Sequence, residues 1–274
     1  MNNSLGVSIV IPVYNQLDFT RRCLESLQKY TPGVETIIVD NASTDGTSAF
    51  LATQKDIRVI SNIENRGCSG AWNQGVQSAS HAWIAVLNND IIVTPGWLEN
   101  LLEFAEKNQY DVVSPGIREG ELVYELHEYA QQFTCSMSRV VRRGIAAGEC
   151  FMVHRSVFER IGLFDENFKI GQYEDTDFFR RVRNAGFRMA ITGCSFVHHF
   201  GSVTRISLKK NKAVRPYAIE NRAYYHKKWK LGWGKRLLIR HSNKIRDFIW
   251  RNEERILHGH SLKEKLINGM VHYY

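Results

Sequence analysis

The chain has little cysteine and no long hydrophobic run, and each lack removes a class of protein. Its five cysteines (Cys23, Cys68, Cys135, Cys150 and Cys194) are odd in number, scattered and without CxxC spacing. That argues against a disulfide framework or a structural zinc site and fits a reducing cytosol. No apolar stretch approaches the roughly 18 residues of a membrane span. The opening MNNSLGVSIVIPVYN lacks the basic start and long apolar centre of a signal peptide. No GxGxxG follows the first strand-like segment, which argues against a dinucleotide dehydrogenase. A Gly-rich, basic loop for a triphosphate is missing there too, against a sugar-nucleotide pyrophosphorylase. No nucleic-acid motif supports binding to DNA or RNA.

What remains is an ordinary globular composition, 43% hydrophobic and 23% charged over 274 residues, enough for one large domain plus an extension. The net charge of +8 is unevenly spread. Residues 203–274 hold 18 Lys and Arg against 5 Asp and Glu, whereas residues 1–202 hold 18 against 23. A basic tail attached to a mildly acidic body is expected to meet something anionic.

Along the body, strand-like and helix-like segments alternate. Strands are expected at Val7–Val13, Glu35–Val39, Ile57–Ser61, Trp83–Leu87 and Asp111–Ser114, as short β-branched runs. Helices are expected between them, for example Leu17–Tyr30, stopped by Pro32-Gly33. Such βα repeats imply a mostly parallel sheet with helices on both faces. Ligands then sit beyond the carboxyl ends of the strands, where this chain carries Tyr14-Asn15, Asp40-Asn41 and Asn88–Asp90. Later, Gly148–Val153 reads as a strand, Asp177–Ala185 as a helix, and Arg188–Ile191 and Ser195–His198 as two strands. Residues 117–147 are not securely assigned, apart from a helix expected over Glu121–Tyr129.

Four segments carry chemistry. TIIVDNASTDGT (36–47) ends a strand on Asp40, a buried carboxylate that is costly without a partner; Ser43 and Asp45 suit turn and cap roles. VLNND (86–90) offers carboxylate and amide oxygens of the kind that hold Mg²⁺ or Mn²⁺. One acidic residue is thin ligation, so a further ligand is expected elsewhere, and FVHHFGS (196–202) supplies two histidines. QYEDTDFFRR (172–181) crowds Glu174, Asp175 and Asp177 at a helix start, more carboxylates than a cap requires; one of them beside an acceptor hydroxyl could serve as general base.

In this order, over about residues 6–202, the segments resemble the family 2 glycosyltransferases of the GT-A fold. SIVIPVYN (8–15) resembles the family's opening strand, VDNASTDGT (39–47) its nucleotide-binding turn and ENRGCSGAWNQG (64–75) the loop and helix over the donor. VLNND resembles a DXD metal motif, GECFMVHRSVFERIGLFDENF (148–168) the acceptor-side segment and YEDTDFFRRVRNAGFR (173–188) the catalytic segment. The resemblance implies an α/β GT-A catalytic domain over residues 1–202 and inverting transfer from a UDP- or dTDP-linked sugar. It further implies a divalent cation, Mn²⁺ or Mg²⁺. Carried over by position, Pro12, Tyr14, Asn15, Asp40, Asn41, Asn65, Gly67, Asn73, Asn88 and Asn89 would bind the nucleotide-sugar. Asp90 and His198 would hold the metal, with His199 as the alternative ligand; Asp175 would be the base, with Glu149 and Glu174 on the acceptor side. Two positions depart from the pattern: Asn88 replaces the first Asp of DXD, and Tyr173 stands where many relatives carry Trp. The nearest look-alikes are bacterial rhamnosyl- and galactofuranosyl-type enzymes of cell-surface polysaccharide assembly, with a saccharide or lipid-linked saccharide as acceptor. A sugar-nucleotide-binding protein without turnover is the alternative.

The tail, residues 203–274, is expected to be a basic, mainly helical extension broken near Gly232–Gly234 and at Gly259. A last helix is expected to carry Leu262, Leu266, Ile267 and Met270 on one side. Apolar residues near helical spacing with Lys and Arg between them suit either packing on the body or a membrane surface with anionic headgroups. They also leave room for a homodimer contact. The resulting expectation is a cytoplasmic protein at the inner face of the cell membrane.

Overall fold

The computed structural model describes residues 5–201 and 214–273. The first half is built from β1 (Val7–Val13), α1 (Leu17–Tyr30), β2 (Glu35–Asp40), α2 (Thr47–Ala52), β3 (Arg58–Ser61), α3 (Gly67–Ser78) and β4 (Trp83–Leu87). Strands β2 and β4 pair parallel with β1 on its two sides, and β3 pairs parallel with β2. Then follow β5 (Ile91–Val93), α4 (Trp97–Asn108), β6 (Val112–Glu119), α5 (Leu126–Met137), β7 (Val141–Arg143) and β8 (Cys150–His154). Next come α6 (Arg155–Ile161), α7 (Glu174–Asn184), β9 (Met189–His199), α8 (Val214–Lys228), α9 (Trp233–His258), β10 (Lys263–Ile267) and β11 (Met270–Tyr273). Among the described residues one mixed sheet runs β11-β10-β6-β8-β4-β1-β2-β3, with β9 joined to β5, β6 and β7.

Strand alternation explains why β1 is apolar at nearly every position. Ile9 and Ile11 pack with Leu24, Leu27 and Trp97 on one face, while Val10 packs with Trp72 and Val76 on the other. Burying each such side chain stabilises the fold by about 1.5–3 kcal/mol. Helix α3 lies close on β1 because Gly75 has no side chain; a Cβ there would stand 2.2 Å from Val10 Cγ1. The parallel strands thus end together on one edge, with Tyr14, Asn41 and Asn88 just past them.

Three expected elements differ. The helix expected over Glu121–Tyr129 begins at Leu126 and runs to Met137, burying Ala130, Phe133 and Met137 at helical spacing. The two strands expected at 188–198 are one, β9, which continues through Gly193; a Cβ there would fall 2.2 Å from the carbonyl of Met137. The last expected helix is a hairpin: β10 and β11 pair antiparallel around Asn268-Gly269. Both turn residues have positive φ, 51° and 75°, as a two-residue hairpin turn requires.

That hairpin belongs to the central sheet. Strand β10 pairs parallel with β6, Lys263 opposite Ile117 and Lys265 opposite Glu119. It is locked by a buried ion pair, Arg118 to Glu264 at 2.7 Å, and by Tyr129 donating to Glu264 at 2.6 Å. Helix α9 is tied at its far end, where Arg142 donates to both Glu254 oxygens at 2.7 Å. Removing one partner of so buried a pair typically costs about 3–5 kcal/mol. The expected boundary at 202/203 lies outside the described residues. Among the described residues, no helix is long and apolar enough to cross a membrane.

Candidate active site

A cleft of about 800 Å³ opens at the carboxyl edge of the sheet. Pro12, Tyr14, Asn41, Asn65, Asn88, Asn89, Asp90, Glu149, Glu174 and Asp175 line it, so ten positions singled out from the sequence converge. Asn15, Asp40, Gly67, Asn73 and His198 do not line it, and each has a local reason.

Asp40 is buried, and both its oxygens are engaged: Oδ1 accepts the Ser43 N–H at 3.0 Å and Oδ2 accepts the Ser48 hydroxyl. The burial cost of this carboxylate is met inside the turn. Asn15 accepts the Thr44 N–H at 2.6 Å and pins the same turn to β1. Gly67 has φ +73° and passes so near Ile170 that a Cβ would stand 3.0 Å from its nitrogen. Asn73 donates to the Phe164 carbonyl and accepts the Phe164 N–H, both at 2.9 Å, fastening α3 to the loop after α6. Asn41, although in the cleft wall, is a hub: it donates to Asn65 at 2.8 Å and accepts from Asn62 and from the Arg66 N–H.

Strand geometry separates the two candidate histidines. Adjacent residues of β9 point to opposite faces, so only one of the pair can meet Asp90, and it is His199. Antiparallel pairing sets His199 opposite Ile91, and its Nε2 lies 3.1 Å from Asp90 Oδ1. Burial disfavours a charged His199, but Asp90, aided by Glu149 and Glu119, outweighs this and raises its pKa. His198 points away, its Nδ1 2.9 Å from the Tyr124 hydroxyl. Burial, with His199 and Arg118 nearby, pushes its pKa down to about 3.

The acids Glu149, Glu174 and Asp175 line the same cleft as Asp90. Asp175 Oδ1 accepts the Thr176 N–H at 2.6 Å, and its other oxygen lies over Gly148, where a Cβ would come within 2.2 Å. Glycine at 148 is therefore what admits the carboxylate. Burial, opposed by the Thr176 N–H and reinforced by Glu149, raises the Asp175 pKa. Burial and the charge of Asp175 push Glu174 up to about 8. Asp177, by contrast, is structural: it accepts from Arg181 at 2.9 Å, Lys228 at 2.8 Å and the Trp229 indole at 2.8 Å. The approach to α7 is strained, with positive φ at Ile170, Gln172 and Tyr173. Asn221 of α8 holds it by donating to the carbonyls of Lys169, Gly171 and Gln172.

The cleft also contains side chains not singled out from the sequence: Glu119, Cys68, Trp72, Tyr217, Lys263 and Lys265. Lys263 lies 3.7 Å from Glu149 and Lys265 lies 2.8 Å from Glu119. Burial would raise the Glu149 carboxyl, but Lys263 and His199 outweigh it and hold it low.

The donor set fits a divalent cation. Among the described residues, Nδ1 of His199 and Oε2 of Glu149 are buried without a hydrogen-bond partner, and Nε2 of His199 has only its ion-pair contact with Asp90. No cluster of three His, Cys, Asp or Glu side chains forms a ready cage among those residues. One carboxylate, Asp90, and one imidazole, His199, suit an ion that completes its shell with substrate phosphates and water.

The mixed α/β sheet with helices on both faces is the GT-A fold. Solved structures share the fold. One is GalNAc-T7 with UDP, GalNAc and Mn²⁺ (TM-score 0.59, 19% identity, 73% of this chain and 44% of that one). Another is the mannosyltransferase PcManGT of Pyrobaculum calidifontis with GDP-Man and Mn²⁺ (TM-score 0.54, 19% identity, 70% and 56%). Residues 8–162 match the profile of Glycosyl transferase family 2, and the chain belongs to that family. Among curated relatives, the succinoglycan biosynthesis protein ExoO of Rhizobium meliloti is 30% identical over 221 residues. The match covers 73% of this chain but 63% of ExoO, so this chain spans less than two thirds of that relative. Glycosyltransferase AglE of Haloferax volcanii is 24% identical, over 75% of this chain and 72% of AglE.

Proposed function

We propose that the chain transfers a hexosyl or deoxyhexosyl group from a UDP- or dTDP-linked sugar to an acceptor hydroxyl, with inversion, in polysaccharide assembly. The observation that carries this is the position of Asp175: its carboxylate lines the same cleft as the Asp90–His199 pair and is admitted by Gly148. The relative named for succinoglycan biosynthesis supports the pathway class, and a saccharide or lipid-linked saccharide is the acceptor.

Tyr14, Asn41 and Asn65 flank the nucleoside, and Asp90 with His199 would hold the cation. A bound Mn²⁺ or Mg²⁺ supplies positive charge that offsets the charge developing on the leaving diphosphate. Asp175 takes the proton of the acceptor hydroxyl as its oxygen bonds to the anomeric carbon. The bond from that carbon to the diphosphate oxygen breaks on the opposite face, so one displacement inverts the configuration. Burial and the charge of Asp175 push Glu174 up to about 8, which favours a neutral Glu174 beside Asp175.

The test is nucleoside diphosphate release from a panel of nucleotide-sugars with Mn²⁺, with Mg²⁺ and with EDTA, with and without saccharide acceptors. Metal-dependent release from a uridine or thymidine donor is the expected result. Donor binding without release under every condition would identify a sugar-nucleotide-binding protein instead.

A further inference from the structure

Helix α9 is long and almost entirely outside the fold: of its 26 residues only Glu254 is buried. At 1.5 Å per residue it extends about 39 Å. Its inner side is fixed by Glu254 and by Trp250, whose ring lies 5.6 Å from the Arg142 guanidinium. The outer side is apolar. Leu238, Ile245, Ile249 and Ile256 follow one another at helical spacing, and each is between 54% and 74% exposed. Such a stripe in water is unfavourable unless something covers it.

The charges beside the stripe indicate what covers it. On a helical projection Lys235 and Arg246 flank it on one side together with one acid, Glu253, and Arg255 and Lys244 lie about 100–120° round on the other. The helix carries seven Lys and Arg against three Asp and Glu. Of those acids, Glu254 is committed to Arg142, and Asp247 lies 3.2 Å from Arg246. Apposing this face to a second copy of itself would bring like charges together. An anionic lipid surface matches both features, since acyl chains take the stripe and headgroups take the cations.

We propose that α9 is a membrane-surface helix, which lies in the interface of an anionic bilayer with Leu238, Ile245, Ile249 and Ile256 inserted. It docks the catalytic domain beside membrane-borne acceptors. Docking is independent of turnover, because these side chains are remote from the cleft lining.

The experiment is co-sedimentation of the full chain with vesicles of phosphatidylcholine alone and with phosphatidylglycerol added. Binding to the anionic vesicles, weakened by salt, is expected. The double substitution Ile245→Glu/Ile249→Glu should weaken it by roughly tenfold or more, whereas Ile245→Leu should not. Melting temperature and donor hydrolysis in solution should be unchanged in both, which separates failure of docking from failure of the transferase reading. No binding to phosphatidylglycerol vesicles, or equal binding by the double variant, would overturn the proposal. So would a dimer that the same double substitution dissociates, because the stripe would then be covered by a second copy.

Discussion

On the cleft wall formed by β1, β2 and the 62–67 loop, the polar side chains are occupied with one another. Asn15, Asp40, Asn41 and Asn65 all accept or donate bonds within that wall. Over the rest of the cleft lining, Glu149, Glu174 and His199 keep buried atoms without a hydrogen-bond partner, and the backbone is strained at Ile170, Gln172 and Tyr173. The first wall is a rigid scaffold; the rest of the lining holds unmet hydrogen-bonding capacity. A buried polar atom left unpaired costs about 1–3 kcal/mol, so its retention marks where a cation, a diphosphate or an acceptor hydroxyl is to be received.

The comparison is broken most severely by Asp175→Asn. Turnover should fall by about 10²–10⁴-fold while donor affinity, measured by calorimetry, stays near that of the parent. Normal turnover would remove Asp175 from the chemistry. The next effect separates the two histidines. His199→Ala should weaken Mn²⁺ activation by about tenfold or more. His198→Ala should leave Mn²⁺ activation alone and cost about 1–3 kcal/mol of folding stability through the lost Tyr124 contact. The reverse pattern in a Mn²⁺ titration would return the metal to His198. The smallest effect on chemistry belongs to the finished wall. Asn41→Ala strands the Asn62 and Arg66 donors and should cost about 1–3 kcal/mol in denaturant unfolding. Its kcat should change less than that of any variant in the rest of the lining.

Much of this was legible from local pattern. The βα alternation of residues 7–114 follows from apolar period and turn residues, both properties of a few neighbouring positions. The helix start holding Asp177 was legible too, and its bonds to Arg181 and the Trp229 indole make Asp177 structural. The C-terminal hairpin was missed although Asn268-Gly269 is a strong local sign of one; Leu262, Leu266, Ile267 and Met270 also fit one helical face, and period alone did not arbitrate. Other placements had no local sign. Lys263 reaches the cleft only because β10 pairs with β6, through contacts such as Arg118–Glu264 that join residues 146 positions apart.

The sequence by itself determined that this chain builds a mostly parallel sheet whose strand ends gather polar residues, because periodicity and turn chemistry act over a few residues. Only the tertiary structure decided which of those residues face the cleft. His199 rather than His198 meets Asp90 because β9 pairs with β5 in one register, and a one-residue slip would exchange them. Asn73 turned inward because a distant segment, at Phe164, offered it hydrogen bonds that no local pattern announces.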